Sequence, residues 1–135
     1  MKFEYLDHTA DIKFRAYGKS LEKVFINSAL ALRKSMVGRV RSKRKMNFSV
    51  EGKDLENLMY NFLEELLFLL ETSGFIFSKI KSLKIDSKNF KLDCEIFGDR
   101  VSRYNFKTEV KAITYQGMIV HEVKGKWVSQ VVLDV

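Results

Sequence analysis

Apolar residues recur along this chain with two periods, and the switches between them mark out its elements. Phe3, Tyr5 and Leu6 precede a polar bend, Asp7-His8-Thr9-Ala10-Asp11; beyond it Ile12, Phe14 and Ala16 alternate with Lys13, Arg15 and Tyr17, the period of a half-buried strand. After Gly18 the period lengthens. Ser20 caps a helix with Leu21, Val24, Phe25, Ser28, Ala29 and Leu32 on one face, Glu22 and Arg33-Lys34 suit its dipole at either end, and Gly38 closes it. Met46, Phe48 and Val50 alternate with polar residues in the next strand, which follows the basic run Arg39–Lys45. Gly52-Lys53 turns the chain, and Asp54 caps a second helix whose stripe of Leu55, Leu58, Met59, Phe62, Leu63, Leu66 and Leu70 makes it the main core helix. Projected at about 100° per residue, Phe68 falls on the polar side of that helix, among Glu64 and Glu71. The expectation is that another layer covers it; contact with a partner is the alternative.

Thr72-Ser73-Gly74 stops the second helix, and strand periodicity takes over from Phe75. Asp86–Asn89 reads as a turn, and Phe90, Leu92, Cys94 and Ile96 then alternate with charged residues, making Cys94 a small core residue rather than a nucleophile. The stretch 98–108 is polar and mixed, a mobile loop or a short helix. Val110–Tyr115, Met118–Val123 and Trp127–Val135 predict three final strands, the last two joined by the tight turn Lys124-Gly125-Lys126. No repeat, linker or proline interrupts the chain, so a single domain over 1–135 is expected.

Composition narrows the function only a little. A 46% apolar fraction over 135 residues suits an ordinary globular core. The net charge of +7 fits a partner that is RNA or acidic protein, and equally a solvated surface or an edge strand protected by charge. One cysteine and no secretory pattern point to a reduced, cytoplasmic setting. The block Leu66–Leu70 is bounded by Glu64-Glu65 and Glu71, far short of the roughly 20 residues a membrane span needs. Walker-type, GxGxxG, GxSxG and HExxH signatures are absent, which argues against the common nucleotide-binding, hydrolase and zinc-protease chemistries.

The candidate chemistry lies at the two ends. The bend 7–11 concentrates carboxylates, an imidazole and a hydroxyl at a strand boundary, although Asp is also common in turns for its backbone hydrogen bonds. In the last strand Asp134 shares a side with Val128 and Val132, where a carboxylate is costly unless it is paired or metal-bound. If the first and last strands are close, Asp11, Asp134 and the carboxylate of Val135, provided the chain ends there in the cell, form an all-oxygen site for calcium or magnesium. The competing arrangement pairs Asp134 with Lys13 or Lys111.

Three separated segments in order, His8-Thr9-Ala10-Asp11-Ile12, Lys111-Ala112-Ile113-Thr114-Tyr115 and the terminal Val132-Leu133-Asp134-Val135, resemble the archease family. The resemblance extends over essentially the whole chain. It implies an α+β single-domain sandwich of mixed or antiparallel sheet packed with two main helices. It also implies no catalysis of its own, but activation of the GTP- and manganese-dependent tRNA-splicing RNA ligase, with tRNA contacted indirectly or weakly. Carried onto this chain, the family's metal site falls on Asp11, Asp134 and Val135, usually with calcium, magnesium or manganese being alternatives; His8, Lys111 and Thr114 take supporting roles toward the carboxylates, partner or phosphate. Gln116 departs from the family pattern, in which histidine is common after the Thr-Tyr pair. A chaperone-like or RNA-binding module, acting through Arg39–Lys45 and the aromatics Tyr104 and Phe106, is the competing reading and predicts salt-sensitive RNA affinity. A metal-assisted hydrolase is disfavoured because only His8 offers itself as a base.

Overall fold

The computed structural model describes residues 1–7 and 10–135, so His8 and Thr9 lie outside the described residues. Among the described residues seven strands form two sheets. In the first, β1 (Phe3–Leu6), β2 (Ile12–Gly18), β7 (Lys126–Asp134) and β6 (Ala112–Val123) lie in the order β1-β2-β7-β6; in the second, β3 (Arg44–Glu51), β5 (Lys91–Arg100) and β4 (Phe75–Asp86) lie in the order β3-β5-β4. Every pairing is antiparallel, so the sheets are not mixed. The first and last strands are close neighbours, separated only by β2.

Helices α1 (Leu21–Met36) and α2 (Leu55–Ser73) each touch both sheets, α1 against β1, β2, β7 and β4, α2 against β6, β3, β4 and β5. A helix buried between two layers must be apolar over more than one stripe. Accordingly Asn27, Ala31, Ser35 and Met36 are buried in α1 alongside the predicted face. The buried polar groups there find partners. Ser28 Oγ donates to the Val24 carbonyl at 2.7 Å, which leaves Ser129 of β7 to donate its own proton across the 2.7 Å Ser28–Ser129 contact. Phe62 of α2 joins the layers, its ring centroid 5.7 Å from that of Phe25 in α1 and 6.1 Å from that of Phe48 in β3.

Both N-caps form as the sequence suggests, with Ser20 accepting from Lys23 N at 3.1 Å and Asp54 from Asn57 N at 2.8 Å. At the other ends the two helices differ. Gly74 closes α2 in the left-handed region at φ 59°, whereas α1 is closed by Val37 in extended backbone, not by Gly38. Phe90, expected to begin a strand, instead takes φ 52° in the turn before β5. The two strands expected between Val110 and Val123 are one, because an irregularity between Thr114 and Ile119 absorbs the break; Gln130 Nε2 donates to the Gly117 carbonyl at 2.8 Å and stabilises it. The 98–108 stretch divides into the end of β5, a 3-10 turn over Val101–Arg103, and a loop. Phe68 is 56% exposed: no layer covers it. Among the described residues no helix is long and apolar enough to cross a membrane.

Candidate metal-presenting rim

Antiparallel register decides what meets at the ends of β2 and β7. Ile12 pairs with Leu133, and Ala112 of β6 pairs with Asp134 on the other side. Asp11 and Asp134 are therefore each one residue beyond the Ile12–Leu133 pair, on the same edge of the sheet. Because side chains alternate along a strand, Asp134 belongs to the face opposite buried Leu133, the face that carries Val132; Asp11 stands in the bend just before β2. Backbone positions 11 and 134, nominated from opposite ends of the sequence, are thus neighbours at this edge. Val135 follows Asp134 directly, and the Asp134 carbonyl accepts from Lys111 N at 2.7 Å, which tethers the start of the Lys111–Tyr115 segment to this rim.

Burial does not act on Asp134 as its place beside Val128 and Val132 suggested. Asp134 is exposed at the strand end, so no burial penalty forces a cation onto it. Among the described residues it makes no ion pair with Lys13 or Lys111 either. His8 lies outside the described residues. Thr114 sits beside Val132 in the sheet, with a buried hydroxyl that has no hydrogen-bond partner among the described residues, and Tyr115 stacks on Tyr60 of α2 at 4.2 Å between ring centroids. The Tyr115 hydroxyl accepts from Asn57 Nδ2, so this part of the segment fastens β6 to α2.

The donor set suits a hard divalent ion in kind, since both side chains offer carboxylate oxygens and Val135 adds a main-chain oxygen. It does not enclose one: among the described residues no three His, Cys, Asp or Glu side chains converge. A cation here would keep open positions. Cations of the protein itself stand close by, since Asp11 lines a cleft of about 310 Å³ with Lys13, Lys34, Lys107 and Tyr5. Burial, the larger influence, raises the Tyr5 phenol to about 12 despite the nearby Arg33, and its hydroxyl donates to the Ala31 carbonyl at 2.8 Å. The only cysteine, Cys94, is buried and its thiol is pushed up to about 12 by burial and by Glu95, which keeps it neutral and unreactive.

The basic run is tied down by a group that sequence reasoning passed over. Asp99, at 2% exposure, accepts from Tyr104 Oη at 2.6 Å and from Arg100 N at 2.8 Å, while the Tyr104 oxygen accepts from Arg41 N at 2.9 Å. The Tyr104 bond holds the Asp99 carboxyl below the usual range; burial opposes it, and Arg100 N, Arg103 and Lys43 add to the lowering. A carboxylate with a folded pKa below its unfolded one contributes stability that is complete above the ordinary range and lost as pH falls through the folded value. Tyr104→Phe is therefore expected to move the Asp99 pKa upward, read by an NMR titration of its carboxyl carbon, and to loosen the Arg41 segment at neutral pH.

Over residues 3–135 the chain matches the model of the Archease protein family. It is 40% identical over 141 residues to Protein archease of Pyrococcus abyssi, with 99% of each chain covered, and 33% identical over 140 residues to that of Methanosarcina barkeri, with 99% of this chain and 96% of the relative covered. It is similar to the solution structure of a Methanobacterium thermoautotrophicum protein, with a TM-score of 0.87, 34% identity and 99% of each chain covered. A crystal structure of an archease, possible chaperone, from Thermotoga maritima gives a TM-score of 0.68 at 19% identity, covering 96% of this chain and 94% of that one, a likeness of fold alone.

Proposed function

The chain belongs to the archease family, and from that premise we propose that it is an accessory protein which activates the tRNA-splicing RNA ligase by presenting a divalent-cation site to the ligase active centre. The observation that supports this is the adjacency of Asp11 and Asp134 at one sheet edge. Asp11 and Asp134 hold the cation from the protein side, Val135 adds oxygen, and the positions they leave open face outward. Bound there, calcium, magnesium or manganese would neutralise phosphate charge during guanylylation of the ligase. Lys111 fixes the end of β7 through its backbone bond to Asp134, a positioning role. Lys13, Lys34 and Lys107 surround Asp11 with positive charge that attracts a phosphorylated partner complex and limits how tightly the free protein holds metal. The protein works in the cytoplasm in this reading, with tRNA touched through the ligase.

The test is transfer of labelled GMP to the cognate ligase with this protein present at a small fraction of the ligase concentration. Labelling that runs to many ligase molecules per activator is expected. Labelling unchanged by the protein, or limited to one ligase per activator, contradicts the reading.

A further inference from the structure

Beside the carboxylate rim lies a second cleft, of about 510 Å³, lined by Arg33, Lys34, Val37, Gly38, Arg39 and Lys107. Four of these six residues are cations and none is an acid. Arg33 is the unusual one. It is 8% exposed, and among the described residues no carboxylate pairs with it. One guanidinium nitrogen donates to the Gly38 carbonyl, yet its Nε is buried with no hydrogen-bond partner among the described residues. A buried guanidinium with an unused donor is costly unless something anionic completes it. Burial lowers the Arg33 pKa and the nearby Tyr5 raises it, yet arginine stays charged at any physiological pH.

Arg33 as a clamp on the α1–β3 connection accounts for the Gly38 bond but not for the orphaned Nε. Complementing the helix dipole accounts for too little: a helix C-terminus carries roughly half a negative charge, against four full positive side chains here. The fourth arrives from a distant part of the chain, because Lys107 N donates to the Met36 carbonyl at 2.8 Å and so docks the 104–108 loop on the end of α1. Lys34 and Lys107 line both this cleft and the one containing Asp11.

We propose that this cleft is a phosphate-binding pocket that takes a phosphomonoester, with Arg33 as its buried floor and Lys34, Arg39 and Lys107 as its rim. A phosphomonoester fits because its oxygens accept from several donors at once, Arg33 Nε among them, and its near-double charge matches several cations better than a single carboxylate does. The shared lysines place the bound phosphate next to the carboxylate rim. The pocket does not depend on the ligase reading, since it is tested on the isolated protein.

The test is an NMR titration of the labelled protein with inorganic phosphate, followed by a nucleoside monophosphate and by a short RNA with or without a terminal phosphate. Saturable shifts are expected at Arg33 Nε and at the amides of Lys34, Gly38, Arg39 and Lys107. Arg39→Ala with Lys107→Ala is expected to weaken binding by about tenfold or more, while Lys79→Ala with Lys81→Ala, on the other sheet, leaves it unchanged. Both pairs alter exposed side chains, so retained folding is readily checked by the unperturbed amide spectrum. Tighter binding of the RNA bearing a terminal phosphate than of the nucleoside monophosphate assigns the source to an RNA end, and the reverse to a free nucleotide. Shifts that grow without saturating over all surface lysines, or equal weakening by the two double variants, would overturn the proposal.

Discussion

Asp11→Asn and Asp134→Asn are each expected to weaken divalent-cation binding by more than about 100-fold, because even partners one layer out from a metal cost 10–100-fold when changed. The amide keeps the size of the side chain and one carbonyl oxygen but removes the charge on which a hard cation depends. Asp134 is exposed and makes no ion pair among the described residues, so the thermal midpoint of Asp134→Asn should move little. Calorimetric titration with calcium, magnesium and manganese, paired with a thermal melt, reads both quantities. Unchanged affinity in either variant would remove that carboxylate from the site.

The second large effect is on stability. Phe62→Ala is expected to cost about 3–5 kcal/mol, a substantial fraction of the roughly 5–15 kcal/mol by which domains are stable. Phe62 is fully buried and lies between Phe25 and Phe48, so its loss opens a cavity where α1, α2 and β3 meet. Both sheets rest on these helices, and neither can close the gap without dragging the other. Chemical denaturation monitored at Trp127 would show the lowered midpoint; a cost below about 1 kcal/mol would mean that the layers repack freely.

Residues whose partners lie close in sequence are legible from local pattern alone. Ser20 and Asp54 cap the helices they precede, and the alternation around Phe14 and Cys94 correctly separates buried from exposed positions. What failed depends on distant chain. The irregularity in β6 rests on Gln130, thirteen residues beyond the Gly117 it supports, so local periodicity split one strand into two. Gly38 read as a helix stop although Val37 takes that place, its N–H donating to the Arg33 carbonyl at 2.9 Å. Phe68 read as covered because a large aromatic usually is, yet it stays 56% exposed, since β6 and β3 meet that side of α2 at Asn57, Tyr60 and Asn61 instead.

The same division runs through the site. Asp11 and Asp134 could be nominated from chemistry, but their adjacency required β2 and β7 to be neighbours, a fact of topology that local pattern does not carry. Arg33 looked like an ordinary dipole partner at the end of α1. Its burial follows from packing between the layers and from Lys107 docking across the end of the helix, and neither leaves a mark in the local pattern. A lone basic residue within an otherwise apolar helix face was the one available signal.

The most direct measurement is the number of ligation turnovers completed by the cognate ligase with the wild-type protein and with Asp11→Asn or Asp134→Asn, at the same ligase and metal concentrations. Many turnovers with the wild type and about one with either variant is the predicted result. Equal turnover with folded variants that no longer bind metal would contradict the claim that these two carboxylates present a cation to the ligase.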